Sequence, residues 1–134
     1  MAITNVEAEQ FKNEGNQAFA AGKYEEAIAL YTKAVKAGGE ERDVAVYHKN
    51  RAAAYLKLEQ YKEAVEDCDA TLRVIPEDPK ALFRRSQAFE ALERYEESYR
   101  DARAVLNVDP SNKAVQPVLT RLFKIVQERA QQNA

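Results

Sequence analysis

The tetrapeptide Tyr24-Glu25-Glu26-Ala27 occurs twice more with small changes, as Tyr61-Lys62-Glu63-Ala64 and as Tyr95-Glu96-Glu97-Ser98. The second interval is 34 residues and the first is 37. The longer interval contains Ala37-Gly38-Gly39-Glu40-Glu41, a loop in which an insertion has a small cost in free energy. A sequence that matches itself at a spacing of this size predicts stacked copies of one structural unit.

Each copy predicts a pair of helices. Apolar residues recur at helical spacing, as at Ala27, Ile28, Tyr31 and Ala34, and only four glycines and four prolines occur in 134 residues. Short polar segments such as Ala21-Gly22-Lys23 separate the helical stretches. The sequence therefore predicts seven helices, at roughly 5–21, 24–38, 42–58, 61–74, 79–92, 95–107 and 113–130.

Small residues recur where the two helices of a pair must touch. They are Gly15, Ala52 and Ser86 on the first helices, and Ala27, Ala64 and Ser98 on the second. The last helix carries six apolar residues at helical spacing: Val115, Val118, Leu119, Leu122, Phe123 and Val126. We expect this helix to cover the third pair, because the end of a repeat stack cannot be left apolar.

This pattern resembles the tetratricopeptide repeat (TPR) family over residues 8–112. The resemblance implies an all-α, right-handed solenoid of three TPR helix hairpins plus a C-terminal capping helix. We place the repeats at about 8–44, 45–78 and 79–112 and the capping helix at about 113–130, within one domain that spans 1–134. In such a stack the first helix of each hairpin lines the concave side.

Composition excludes several classes of function. A net charge of −2 argues against nucleic acid as a partner, and a single cysteine and a single histidine argue against a metal site. No apolar stretch is long enough to cross a membrane, and the first twenty residues lack the pattern of a signal peptide. We therefore expect a cytoplasmic protein without a cofactor, and without nucleic acid or a membrane as its partner.

Charge is unevenly distributed between the helices. The first-helix segments 45–58 and 79–91 contain one acid, Glu90, against six basic residues: Lys49, Arg51, Lys57, Lys80, Arg84 and Arg85. The second helices carry acidic pairs such as Glu25-Glu26 and Glu96-Glu97. The sequence therefore predicts a basic concave groove that attracts an acidic ligand.

Five polar residues of the first helices form the sharpest signal. Lys12 and Asn16 are one turn apart, Asn50 lies on the next first helix, and Lys80 and Arg84 are one turn apart on the third. Because these helices are neighbours, the five groups converge. Their charged and neutral donors suit two adjacent carboxylates, such as the side chain and terminus of a C-terminal aspartate.

All five positions match the carboxylate-clamp subfamily of TPR domains. That resemblance implies a ligand ending in Glu-Glu-Val-Asp, the C-terminal tail of heat-shock protein 90 and of heat-shock protein 70. It also implies that Phe19, Ala53 and Gln87 contact the residues preceding the terminus. Phe19 and Ala53 would equally suit packing between helices.

The amino-acid sequence of four segments resembles the N-terminal TPR domain of animal UCS-family myosin chaperones. The segments are 50–58, 65–69, 80–88 and 112–122. The resemblance runs from about Glu9 to Arg129. It implies that the chain is the N-terminal part of a longer protein whose later domains hold myosin as the client. Two alternatives stay open: a TPR scaffold for another peptide or for self-assembly, and the targeting arm of an isomerase, phosphatase or ubiquitin ligase.

The remaining reactive side chains, those of Cys68 and His48, give no indication of a catalytic site, and we do not expect an enzyme. Cys68 occupies the repeat position of Tyr31 and Ala102, which indicates a buried structural role. His48 occupies that of Phe11 and Leu82, and the sequence offers it no acid partner. Two sets of residues are interpreted as structural: the tyrosines Tyr24, Tyr61 and Tyr95 as packing, and Lys49, Arg51 and Arg85 as surface or inter-repeat charges.

Overall fold

A computed structural model of the chain describes residues 5–133; the predicted domain ends at 1 and 134 lie outside that range. The described residues contain no strand and form seven α-helices: α1 (Val6–Ala20), α2 (Tyr24–Ala37), α3 (Glu41–Lys57), α4 (Tyr61–Val74), α5 (Pro79–Ala91), α6 (Tyr95–Val108) and α7 (Val115–Gln132). The predicted helices are confirmed, and their bounds differ from the observed ones by at most two residues.

One type of turn joins the two helices of every hairpin. Gly22, Glu59 and Glu93 hold equivalent repeat positions and all have positive φ, at 77°, 59° and 61°. The next residue closes each turn through its backbone N–H, as in the 2.9 Å bond from Lys23 to the carbonyl of Ala18. Only the first repeat uses glycine at this left-handed position, so the other two turns carry a modest conformational cost.

Helices pack in the order of the chain. The hairpins α1–α2, α3–α4 and α5–α6 are in contact, and each packs on the next element through α2–α3, α4–α5 and α6–α7. Contacts also join α1 to α3 and α3 to α5, with no comparable contact between successive second helices among the described residues. The first helices therefore lie closer together and form the concave side of the stack, as predicted.

Small residues make the close helix contacts possible. Ala27, Ala52 and Ala64 are completely buried, as the repeat comparison predicts. The third hairpin uses two serines instead, and each hydroxyl bonds the backbone carbonyl of the other: Ser86 to Ser98 at 2.9 Å and Ser98 to Ser86 at 2.7 Å. These bonds satisfy polar groups that burial would otherwise make costly.

The last helix covers the third repeat, with one exception to the prediction. Val115 and Leu122 of α7 are fully buried in a cluster with Leu82. Phe123, by contrast, is 51% exposed. It holds the repeat position of Phe89, which is only 6% exposed and lies beneath Arg94, with 4.6 Å between the guanidinium carbon and the ring centre. No helix follows α7 within the described residues, so no side chain covers Phe123 in that way.

Two arginine–aspartate pairs join the two helices of the second hairpin and the two helices of the third. Arg51 donates to Asp67 from Nε at 2.8 Å and from Nη2 at 2.6 Å. One repeat later, Arg85 makes the equivalent bonds to Asp101 at 2.7 and 2.8 Å. Arg51 also donates to the Thr32 hydroxyl of α2 at 3.0 Å, so this one guanidinium joins the first repeat to the second.

Two further ion pairs extend this pattern. Arg85 donates to Asp69 of α4 at 2.9 Å, and Lys49 of α3 lies 2.7 Å from the Asp78 carboxylate at the start of α5. Asp78 also caps α5 by accepting from the backbone N–H of Ala81 at 3.0 Å. These contacts agree with the interpretation of Lys49, Arg51 and Arg85 as inter-repeat charges.

The expectation that His48 lacks an acid partner is wrong. Its Nδ1 lies 2.9 Å from Asp67 Oδ1, because α3 and α4 pack side by side. The neighbouring Cys68 is completely buried, and burial raises the pKa of its thiol to about 12. Cys68 therefore stays protonated near neutral pH, which removes its nucleophilic form.

Residues 5–133 lack two features, a membrane-spanning helix and a metal-binding cluster. No helix is long and apolar enough to cross a membrane. No three His, Cys, Asp or Glu side chains in that range are grouped so that they could hold a metal ion.

Candidate functional site

Two adjoining cavities lie along the concave side. The first, of about 470 Å³, is lined by residues of α1, α3, α4 and α5: Phe19, Ala53, Leu56, Lys57, Tyr61, Arg84, Gln87 and Ala91. The second, of about 390 Å³, is lined by Pro79, Lys80, Phe83, Arg84, Gln87, Asp109 and Asn112. Arg84 and Gln87 line both, so the cavities form one continuous groove.

Asn16 and Asn50 meet on this side of the molecule. The Asn50 amide nitrogen lies 3.4 Å from the Asn16 amide oxygen. The same oxygen accepts a shorter bond, 2.6 Å, from the Tyr31 hydroxyl. Burial raises the pKa of Tyr31, while the charge of Arg84 acts in the opposite direction, so the hydroxyl stays a donor near neutral pH. The nitrogen of Asn16 forms no hydrogen bond within the described residues and is available to a ligand.

Lys12 is not a free cation. Its ammonium lies 2.5 Å from Glu9 Oε1, and the other oxygen of Glu9 accepts from the Tyr47 hydroxyl at 3.2 Å. The hydrogen bond from Lys12 holds the pKa of Glu9 below its ordinary value. A ligand carboxylate at Lys12 must therefore share this ammonium with Glu9. The sequence analysis missed Glu9, although its three-residue spacing from Lys12 is a standard signal for a helical ion pair.

Arg84 and Lys80 are the two predicted clamp cations that no carboxylate of the described residues neutralises. Arg84 Nη1 donates to the backbone carbonyl of Lys49 at 3.0 Å, which fixes the guanidinium between α3 and α5. Burial lowers the pKa of Arg84, yet an arginine stays charged near neutral pH. Lys80 is exposed on the first turn of α5. Neither cation forms a salt bridge with a carboxylate in the described part of the chain.

The groove is less basic than the sequence predicts. Three of the six basic residues counted on the inner helices, Lys49, Arg51 and Arg85, are paired with aspartates. Those aspartates come from second helices or from the start of the next repeat, so a count by helix could not find them. The three that form no salt bridge among the described residues are Lys57, Lys80 and Arg84, and all three line the groove.

The structure brings the predicted site residues together in overlapping subsets. Asn16 contacts Asn50, Lys80 and Arg84 line one cavity, and Arg84 lines the other with the predicted groove residues Phe19, Ala53 and Gln87. Lys12 is attached to this group through α1, one turn before Asn16, with its ammonium held by Glu9. Such a concentration of N–H donors is suited to binding carboxylates.

Sequence reasoning missed several residues of the groove. Leu56 and Tyr61 line the larger cavity beside the predicted Phe19. The hydroxyl of Tyr31 donates to the Asn16 amide oxygen, although the repeat position of Tyr31 indicated only packing. The glycine at position 15 is the sequence feature that points to this role of Tyr31. A large ring can lie this close to α1 only where the helix residue has no side chain.

Comparison with protein families identifies the repeats directly. Models described as tetratricopeptide repeat match residues 45–78 and residues 79–112. The human mitochondrial import receptor subunit TOM70 is 43% identical over 82 residues, which are 60% of this chain and 14% of that protein.

Solved structures with the same fold carry bound peptides. The first TPR domain of Spaghetti (RPAP3), bound to the HSP90 peptide SRMEEVD, has a TM-score of 0.87 and 31% identity, covering 95% of this chain and 98% of that one. The myosin chaperone UNC-45 from C. elegans, in complex with an Hsp90 peptide, has a TM-score of 0.87 and 36% identity. The match covers 93% of this chain and 14% of that one, so the chain spans only a small part of UNC-45 and of TOM70.

Proposed function

Because the chain belongs to the tetratricopeptide repeat family, we propose that it is a co-chaperone module whose groove binds the C-terminal Glu-Glu-Val-Asp tail of heat-shock protein 90. The ligand's terminal carboxylate and aspartate side chain occupy a clamp formed by Lys12, Asn16, Asn50, Lys80 and Arg84. The module acts by docking a partner and has no catalytic step of its own.

The observation that carries this proposal is the pair of unneutralised cations on α5. Arg84 is held between helices by its bond to the Lys49 carbonyl, and Lys80 lies one turn earlier on the same helix. Of the other basic groups nearby, Lys49 pairs with Asp78 and Arg51 with Asp67, whereas Lys57 lines the larger cavity without a salt bridge in the described part of the chain. A carboxylate ligand supplies the negative charge that neutralises these two cations.

The amides of Asn16 and Asn50 give the clamp its preference for a chain terminus. Two cations alone would bind any acidic segment, whereas converging amide donors fix two carboxylates at a set distance and angle. Beyond the clamp, Phe19, Ala53 and Gln87 line a cavity of about 470 Å³, which offers apolar contact to the residues before the terminus. The bound HSP90 peptide of the RPAP3 domain supports this choice of ligand class.

Replacement of single cations tests the proposal. We expect a peptide ending in Met-Glu-Glu-Val-Asp to bind with micromolar affinity, about −8 kcal/mol. Arg84→Ala removes a partly buried donor and should weaken binding by about 2–5 kcal/mol. Lys80→Ala should weaken it less, because Lys80 is exposed and water screens its charge.

Lys62→Ala is the matched control for this experiment. Lys62 is also an exposed lysine, but it lies on the second helix α4, away from the groove. Fluorescence anisotropy of a labelled peptide gives all four affinities under one set of conditions. An Arg84→Ala domain that folds normally and binds the peptide as tightly as the Lys62→Ala domain contradicts the proposed site.

The finer role that we propose is in myosin folding. The similarity to the UNC-45 myosin chaperone supports this role, with the present chain as the tail-docking part and the client held by later domains. Tethering heat-shock protein 90 beside a bound client raises the effective concentration of one at the other. In the full-length protein, Arg84→Ala should abolish recruitment of heat-shock protein 90 and leave myosin binding intact; loss of both activities would contradict this division.

A second candidate has the same ligand in a different setting. The 43% identity to TOM70 favours a tail-docking module on a mitochondrial import receptor. The clamp would then deliver chaperone-bound precursors to an organelle rather than a chaperone to myosin. Microscopy of the full-length protein separates the two: a mitochondrial outline supports the receptor, and a diffuse or sarcomeric pattern supports the myosin chaperone.

A further inference from the structure

We propose that Tyr31 is a positioning residue of the clamp: its hydroxyl fixes the Asn16 amide so that the NH₂ group faces the ligand. This inference rests on the proposed function for its effect on binding. The contact itself, between a buried tyrosine and an exposed asparagine, is a feature of the free domain.

The hydrogen bonds around Asn16 determine which way its amide points. Its oxygen accepts from the Tyr31 hydroxyl at 2.6 Å and lies 3.4 Å from the Asn50 amide nitrogen. Turning the amide over would place its NH₂ group against the NH₂ group of Asn50 and would remove the acceptor of the Tyr31 hydroxyl. The oxygen is therefore held inward, and both N–H donors of Asn16 are free for a carboxylate.

Tyr31 is rigid enough to act as this anchor. It is 2% exposed and belongs to the core cluster of the first hairpin. Its ring lies so close to α1 that a Cβ added at Gly15 would be 2.6 Å from Cε1 and 2.8 Å from Cδ1. No side chain fits there, so glycine at position 15 allows the ring to reach under the next residue, Asn16.

Comparison of the three repeats indicates that this arrangement is specific to the first. By repeat position, Ala52 and Cys68 correspond to Gly15 and Tyr31 in the second repeat, and Ser86 and Ala102 correspond to them in the third. The residues that follow the small partner are Asn16, Ala53 and Gln87. Only the first repeat combines a glycine, a hydroxyl-bearing ring and an asparagine. Packing alone would need the ring of Tyr31 and not its hydroxyl, which here donates to the Asn16 amide oxygen at 2.6 Å.

Tyr31→Phe tests the proposal because it removes one oxygen and keeps the ring. We expect about fivefold weaker binding of the peptide ending in Met-Glu-Glu-Val-Asp, within the range that one hydrogen bond provides. Tyr95→Phe is the control, because Tyr95 is a half-buried packing tyrosine of the third repeat. It should bind the peptide as the natural protein does.

A double-mutant cycle distinguishes positioning from general loosening. If Tyr31 acts through the Asn16 amide, Tyr31→Phe should change the affinity by less than about twofold when Asn16→Ala is already present. The proposal is overturned by a Tyr31→Phe variant that binds as well as the natural protein. It is equally overturned by a loss of the same size in both backgrounds, which would mean that Tyr31 acts elsewhere.

A measurement without peptide separates this inference from the proposed function. In ¹⁵N-correlated NMR spectra, Tyr31→Phe should move the Asn16 side-chain NH₂ signals toward each other, and Tyr95→Phe should leave them in place. If the natural protein does not bind the peptide, the proposed function fails while these spectra still decide whether Tyr31 orients Asn16. Unchanged Asn16 signals in Tyr31→Phe contradict the inference even when peptide binds.

Discussion

Removal of the Asp67 carboxylate tests how the two helices of the second hairpin are held together. The Asp67 side chain is 4% exposed and accepts two bonds from Arg51 and one contact from His48 Nδ1. In Asp67→Ala, the Arg51 guanidinium keeps the Thr32 hydroxyl and a 3.4 Å contact with His48 Nδ1, but no carboxylate within the described residues. Breaking a buried ion pair from one side costs about 3–5 kcal/mol, because an uncompensated charge remains. Typical domains have a total stability of about 5–15 kcal/mol, so the loss is a large part of it.

The next repeat supplies the matched comparison. Asp101 occupies the equivalent position, is 6% exposed, and makes the equivalent bonds to Arg85. Arg85, however, keeps a second carboxylate, Asp69, at 2.9 Å. Asp101→Ala therefore leaves the guanidinium paired and should cost only about 1.5–3 kcal/mol, the value of a hydrogen bond to a charged group.

Urea denaturation measures both free energies of unfolding. Circular dichroism and tyrosine fluorescence should give coincident transitions, which justifies a two-state analysis. We expect Asp67→Ala to lower the free energy of unfolding by more than Asp101→Ala does. Equal losses, or a larger loss for Asp101→Ala, would refute the argument that the second partner of Arg85 decides the difference.

Three further tests concern stability and reactivity. Gly15→Ala should displace the Tyr31 ring and cost about 1–3 kcal/mol of stability, measured by urea denaturation, together with peptide affinity. Although burial opposes it, hydrogen bonding by Lys49 and the start of α5 holds the pKa of Asp78 below its ordinary value. Its contribution to stability is therefore present above about pH 4 and lost as the pH falls further, and the urea midpoint of Asp78→Asn should lack this acid dependence. Cys68, whose thiol pKa is raised to about 12 by burial, should react with Ellman's reagent only after unfolding.

Much of the fold follows from local features of the sequence. The recurring Tyr-x-Glu motif, followed by Ala or Ser, sets the repeat; small residues at Gly15 and Ala27 mark the hairpin contacts; and short polar segments such as 21–23 separate the helices. Such features are predictable because each repeat contacts only its neighbours. Phe123 was misassigned because periodicity identifies an apolar face without indicating whether a following helix covers it.

The sequence predicts that the candidate residues lie near one another, but it does not predict which of the basic residues are paired with carboxylates. Spacing of four residues on one helix is enough to bring Lys80 and Arg84 into one cavity. Which cations are neutralised depends on partners from other helices, such as Asp67 for Arg51, and on side-chain direction, as for Glu9 and Lys12. These contacts depend on three-dimensional packing that a single sequence does not state.

The most direct test of the clamp is calorimetric titration of the domain with two peptides that differ only at their ends. Both end in Met-Glu-Glu-Val-Asp, one with a free C-terminal carboxylate and the other with an amide. Binding by Asn16, Asn50, Lys80 and Arg84 to paired carboxylates requires the free acid to bind with micromolar affinity and the amide to bind far more weakly. Equal affinities for the two peptides, or no binding of either, would contradict the account.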